Sequence, residues 1–413
     1  MRTGRSVLPE RAIDPMTDHP AQSNALPALT DADITALTAL RHDLHRHPEL
    51  SGEEAETAAR IKSVLAETGP DDILTGLGGH GIAALYSGAV AGPTVLLRCE
   101  LDALPIEEKS DADHRSTVPG KGHLCGHDGH MTMLMGVAHH LSRLRPSKGR
   151  VILLFQPAEE DGSGAQKVLE SPDFTALSID YALSLHNMPG MPLGHVSLQE
   201  GPANCASCGL EIRLSGRTAH ASQPETGVPP TPAIAALVPT LQALSNPAPE
   251  NPADFALATI THIRVGEPAF GVAPGDGTLW VTLRSLTDPG MEHLCREAET
   301  AVAHLAETHA LQASLAYHDY FRACTNDPDA TAVLDRAIRR LGLVREEGHL
   351  PMRASEDFGR FADVSKSAMF LLGSGLDSPA LHNPDYDFPD SLIPTGTAVF
   401  MAALDDLLGL PTP

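Results

Sequence analysis

The chain reads as a two-domain α/β protein in which a ferredoxin-like α+β unit is inserted into a domain built of a sheet and helices. Three observations predict this. With 413 residues the chain exceeds the size at which a single hydrophobic core usually stops growing, so two cores are expected. Helical and strand signals alternate up to about residue 200, as in a sheet covered by helices. After Gly201 the order becomes strand, helix, strand, strand, helix, strand, and an α/β pattern resumes after about residue 316.

The first residues, MRTGRSVLPERAIDPMTDHPAQSNALPALT, are rich in proline and polar residues. We read 1–32 as a disordered tail, with Met16 as an alternative start. The tail lacks the apolar stretch of a secretory signal, which makes the cytoplasm the expected compartment. Ile34, Leu37, Leu40 and Leu44 recur at helical spacing, and short β-rich runs follow at 94–97 and 151–155. These elements belong to the first part of the main domain, 33–202.

The insert, 203–316, carries the strand-like CGLEIRLSG, the helix-like PAIAALVPTLQAL, and the strand-like FALATITHI and TLWVTLRSL. A helix over 291–307 and a strand over 311–317 complete it, and 317–413 returns to the main domain.

The formal charge of -24, with no compensating basic block, argues against nucleic acid and anionic membrane surfaces. Lysine is scarcer than arginine and alanine is abundant, a bias assigned to codon usage ahead of a saline cytoplasm. No stretch approaches the roughly 18 consecutive apolar residues of a membrane helix. The six cysteines are expected as reduced thiols or metal ligands rather than a disulfide framework.

Chemistry-bearing residues concentrate in four places. In HLCGHDGHMTMLMGVAHH, Cys125 and His127 stand two apart in a glycine-containing turn that opens a helix, so a thiolate and an imidazole can converge. That pair suits a zinc-class divalent ion, although Asp128 as a simple helix cap explains the same turn without metal. His130, His139 and His140 are expected as ordinary helix residues. In VILLFQPAEEDGSGA a buried-looking strand runs into Glu159 and Glu160 at the position where open α/β sheets face their ligands. Adjacent carboxylates in a turn point apart, so one can bind metal while the other handles protons; alone, the pair would read as a solvated acidic turn.

His186 in LHNMPG and His382 in LHNPDYDF each end an apolar run before a sharply directed exit. With Cys125, His127 and Glu160 they make five candidate ligands, enough for two ions if one ligand or a water bridges.

The ordered segments LRHDLHRHPELSGEE, LRCELDALPIEE, HLCGHDGHMTMLMGVA, FQPAEEDGSGA, LHNMPG, SGRTAHAS, SEDFGRF and LHNPDYDF resemble the successive signatures of the amidohydrolase branch of the aminoacylase and carboxypeptidase metallopeptidases. Hippurate hydrolases and indole-acetyl-amino-acid hydrolases belong to that branch. The resemblance runs from about residue 36 to the C-terminus. It implies a mixed-sheet, metallo-aminopeptidase-like catalytic domain with an inserted lid that often dimerises, here giving a homodimer through the lid.

It also implies two divalent ions per subunit (zinc, manganese or cobalt) held by Cys125, His127, Glu160, His186 and His382. Glu159 takes the general-base position, and His220 in GRTAHAS matches a histidine that reaches a closed active site, in some relatives from the partner subunit. The implied reaction is hydrolysis of a small N-acyl amino acid. A dipeptide-cleaving metallo-carboxypeptidase and a catalytically silent relative are the other readings.

Six further positions bear on specificity and fine structure. Glu100 stands where relatives usually have Asp, and Gly271 where an Asn commonly precedes V-I-P and helps hold substrate. Asp102 either orients metal-binding groups or satisfies backbone amides at a strand end. Arg284 is a candidate partner for a substrate carboxylate, against an ordinary lid-surface arginine. Cys205 and Cys208 form a C-x-x-C without a second pair, so no metal or redox site is expected there.

Overall fold

The computed structural model describes residues 28–411. Most of the expected tail, Met16 included, lies outside the described residues. The first helix, Asp31–Arg46, begins just inside the expected tail because Thr30 caps it. The Asp33 amide donates to the Thr30 hydroxyl and the Thr30 amide to the Asp33 carboxylate, a reciprocal capping box.

A seven-stranded sheet runs in the order Asp72–Leu77, Gly81–Ser87, Lys148–Gln156, Val90–Glu100, Tyr181–Pro189, Lys366–Gly375, Val196–Ser197. The four strands from Lys148–Gln156 to Lys366–Gly375 pair in parallel, while the outer strands pair antiparallel, so the sheet is mixed. Val90–Glu100 is buried from Thr94 to Glu100 because helices cover both faces of a parallel centre.

Ile393–Leu408 closes one face, packed against His127–Arg143 and Pro328–Arg340. The segment 390–408 is long and apolar enough to cross a membrane by length and composition, although no run in it approaches roughly 18 consecutive apolar residues. Its apolarity serves burial instead, since most of it packs into the largest core.

The insert forms a second, four-stranded antiparallel sheet in the order Ala256–Val265, Asp276–Ser285, Ala206–Ser215, Gln312–Phe321. Thr231–Gln242 and Asp288–Thr308 cover one face, where Leu210, Ile212, Leu279, Val281 and Leu283 meet Ile234, Leu237, Leu294 and Val302. This is the expected split β-α-β-β-α-β unit, with two small strands, Ala219–His220 and Val272–Ala273, added at its far end. The chain leaves the main sheet after Val196–Ser197 and re-enters it with Lys366–Gly375, which pairs with Tyr181–Pro189 from before the insert.

Beneath the main sheet's helices lies a fully buried guanidinium. Arg41 Nη1 donates to Asp128 at 2.9 Å and Asp387 at 2.8 Å, and its Nε pairs with Asp390. The first helix thereby joins the start of His127–Arg143 to the C-terminal segment.

His45 sits beside it, fully buried, with Asp128 at 2.9 Å and Glu108 at 3.2 Å. Burial alone would lower its pKa, but the Asp128 and Glu108 carboxylates prevail and raise it to about 10. Because this lies above the unfolded value of about 6.5, the pair stabilises fully below about pH 6.5 and progressively less as pH rises toward about 10. The urea midpoint of the native protein should fall across that window more steeply than that of His45→Gln. Parallel slopes for the two proteins would remove the pair from the stability balance.

Candidate metal centre and active site

The site sits at the carboxyl ends of the parallel strands, where the sheet delivers several segments to one cavity of about 340 Å³ facing the insert. Cys125 is delivered by the turn into His127–Arg143, and the turn depends on Gly126, whose φ of 92° is left-handed. A Cβ there would lie 2.6 Å from the Asn187 side-chain oxygen, so glycine is required by space as well as by conformation.

His127 opens the helix and is fully buried. Its Nδ1 donates to the Asp102 carbonyl at 2.8 Å, which leaves Nε2 as the lone-pair nitrogen. That Nε2 is buried without a hydrogen-bond partner, 3.9 Å from Glu160 Oε1, which is also buried and unpartnered. Buried acceptors facing each other without a proton between them are expensive unless a cation joins them.

His186 lies in the second half of Tyr181–Pro189, its Nδ1 bound to the Asn187 carbonyl at 2.8 Å and its Nε2 3.5 Å from Cys125 Sγ. His382 adopts φ 66°, with its amide bound to the Leu124 carbonyl at 2.8 Å and its Nε2 3.7 Å from Glu160 Oε2.

Donor atoms of Cys125, His127 and His186 lie within 4.8 Å of one another, as do those of Cys125, Glu160 and His382, and those of His127, Glu159 and Glu160. The two triples that share Cys125 suit two divalent ions. Thiolate, imidazole and carboxylate together form a donor set for zinc-class metals. Asp102 braces this arrangement: besides its carbonyl bond to His127, its Oδ2 accepts from the Glu160 amide at 2.9 Å and from Ser51 at 2.7 Å.

Glu159 is buried, and Ala158 before it has φ 51°, a strained turn that aims the pair of glutamates into the cavity. Burial pushes the Glu159 carboxyl well above its usual range, reinforced by the nearby Glu356, Glu160 and Asp357 carboxylates. Its neighbour Glu160 is raised to about 7, chiefly by burial.

Several supporting residues carry no sequence signal of their own. Fully buried Arg98 pairs with Glu100, with Glu356 at 3.0 Å and with Asp357 at 2.5 Å, while Gln156 donates to Asp357 at 2.8 Å. Glu100 is thus a buried counter-ion behind the centre, and it reaches His130 Nδ1 at 2.6 Å. His130, expected as an ordinary helix residue, is a buried brace between Glu100 and Asn187.

The SEDF segment offered the only sequence hint of Glu356 and Asp357. Cys205 and Cys208 do not form a site together; the thiol near Cys208 is that of Cys295, with the sulfurs 3.9 Å apart.

Two lid positions separate. Arg284 lines the cavity, donating to the Arg353 carbonyl and the Ser355 hydroxyl at 2.9 Å each, with no carboxylate partner among the described residues. His220 does not reach this cavity: it is exposed, bonded to Ser222 at 2.7 Å, and paired with Val272 beyond the far end of Ala206–Ser215. From Ser207, at the cavity, to Ser215 is eight residues of strand, roughly 27 Å. Gly271 lies at that same far tip, and a side chain there would meet open space.

The sequence pattern of peptidase family M20/M25/M40 matches residues 96–406. The chain is 32% identical over 367 residues to the N-acetyl-L-cysteine deacetylase of Bacillus subtilis (strain 168), covering 86% of this chain and 84% of that protein. To the IAA-amino acid hydrolase ILR1-like 5 of Arabidopsis thaliana it is 30% identical over 379 residues, with 88% and 84% covered. Among solved structures it resembles the YXEP protein of Bacillus subtilis, described as a dinuclear metal binding peptidase, with a TM-score of 0.77 at 26% identity over 92% of this chain and 99% of that one. With its fold, its paired donor triples and these relatives in agreement, the chain belongs to peptidase family M20/M25/M40.

Proposed function

We propose that this protein hydrolyses the amide bond of N-acyl amino acids, with two divalent ions held by Cys125, His127, Glu160, His186 and His382 and with Glu159 as general base. The observation that carries the reading is the pair of donor triples sharing Cys125 with Glu159 buried beside them. Similar proteins named for acetylcysteine and IAA-amino acids set the substrate class. Zinc, manganese and cobalt all suit these donors. Six free thiols fit a reducing compartment, and we place the protein in the cytoplasm.

When bound, a pair of divalent ions supplies a nucleophilic water at neutral pH and polarises the acyl carbonyl. The chain's own residues do the rest. Glu159 takes the proton of the attacking water and hands it to the leaving nitrogen, a role for which its raised affinity for protons suits it. Arg284, without an acidic partner of its own, grips the substrate carboxylate across the cavity.

His220 donates a hydrogen bond to the developing oxyanion, but only from a second copy, since its own cavity is too far away. The exposed edge strand Gln312–Phe321 offers the route to that homodimer by edge pairing.

Cys125→Ala should leave the fold intact by circular dichroism while metal content measured by mass spectrometry drops below two ions per chain. Retention of both ions would exclude Cys125 as the shared donor. Glu159→Gln should keep both ions and lower kcat for N-acetyl amino acids by about 10²- to 10⁴-fold; near-normal turnover would sink the base assignment. His220→Ala and Glu159→Gln, each nearly inactive alone, should regain activity when co-expressed, because a mixed dimer contains one site with both native residues. Co-expression that restores nothing while mixed dimers form would count against a shared site.

A further inference from the structure

The insert's sheet has helices on one face only, and the uncovered face begins inside the active-site cavity. Along Asp276–Ser285 that face presents Arg284, Thr282, Trp280 and Thr278 in succession, because Leu279, Val281 and Leu283 point into the helix-covered core. Arg284 and Thr282 line the catalytic cavity. Thr282, Gly209 and Asp319 also line a second hollow of about 370 Å³ that ends at Trp280. The two hollows therefore form one trough.

At its middle the trough lacks a side chain, since Gly209 pairs with Thr282 on one side and His318 on the other. At its end the indole of Trp280 is 48% exposed and lies 5.2 Å from the His262 ring, ring centre to ring centre. Glu211 stands directly across from Trp280, and half of the indole's apolar surface is still left in water, available to a ligand.

We propose that this trough is an extended substrate subsite and that Trp280 is a specificity-determining residue, stacking on an aromatic group at the end of an elongated acyl chain. The distance sets the class of substrate. Four residues of strand, roughly 13 Å, separate Arg284 from Trp280, so an acetyl group held at the metal centre cannot reach the indole. An aryl-terminated acyl chain several methylenes long can. The proposal rests on the N-acyl amino acid reading and sharpens it: short and long acyl groups share the chemistry, and only long ones use the trough.

Two substrates with the same amino acid separate the contributions: N-acetylmethionine and N-[4-(4-nitrophenyl)butanoyl]methionine. Trp280→Ala should lower kcat/KM for the nitrophenyl substrate by about fivefold to tenfold while leaving N-acetylmethionine within about twofold, and Trp280→Phe should restore most of the loss. Trp280 is the only tryptophan in the chain, so its fluorescence reports the subsite directly. In the Glu159→Gln holoenzyme the nitrophenyl substrate should quench that emission saturably, and N-acetylmethionine should not.

An equal effect of Trp280→Ala on both substrates, an effect on neither, or unquenched emission would overturn the proposal. So would a change in oligomeric state with an unchanged ratio between the substrates. Failure to hydrolyse either substrate would instead refute the reaction assigned above, and the fluorescence titration would still decide the trough.

Discussion

The buried guanidinium of Arg41 is the constraint on which the site's geometry depends. Its partners Asp128, Asp387 and Asp390 belong to segments that carry His127 and His382, residues 255 positions apart in the chain. Removing a charge of this kind from water is costly, and only several well-placed carboxylates repay it. Because the guanidinium is planar and its donors are fixed in direction, those carboxylates can meet it in few arrangements. The start of His127–Arg143 and the C-terminal loop are thereby held in one register. Arg98 does the same on the other side of the centre, tying the strand before Asp102 to Glu356 and Asp357.

Around this frame several of the candidate donors are held from behind by hydrogen bonds. His127 is turned by the Asp102 carbonyl, His186 by the Asn187 carbonyl, and Glu160 is anchored through its amide to Asp102. Backbone carbonyls fix the imidazole tautomers at no extra charge, while the carboxylates stand where charge is needed. The surrounding protein leaves His127 Nε2 and Glu160 Oε1 without hydrogen-bond partners, and with them the neighbouring Asp102 Oδ1.

Much of this was legible in the sequence. Strand and helix periodicity gave the order of elements, and the spacing of Cys125 and His127, the strand-end position of Glu159 and Glu160, and the L-H-N turns at His186 and His382 pointed to convergence. What escaped is what depends on long-range packing. His130 looks like a helix decoration until Glu100 and Asn187 are placed against it, and Arg98 has no motif that announces partners more than 250 residues away. The apolar C-terminal helix reads as unremarkable locally and gains its meaning from burial on several sides. His220 was recognisable as a residue, but its place at the far tip of the insert depends on the length of one strand.

The strand Lys366–Gly375 carries a consequence for how the molecule is made. It lies beside Tyr181–Pro189, yet the whole inserted sheet is translated between them. During synthesis the half-built main sheet must wait with an apolar edge open while the insert, whose pairings are more local, is completed first. His382 arrives later still. The five candidate donors cannot be gathered in one cavity until His382 has been translated and has left the ribosome.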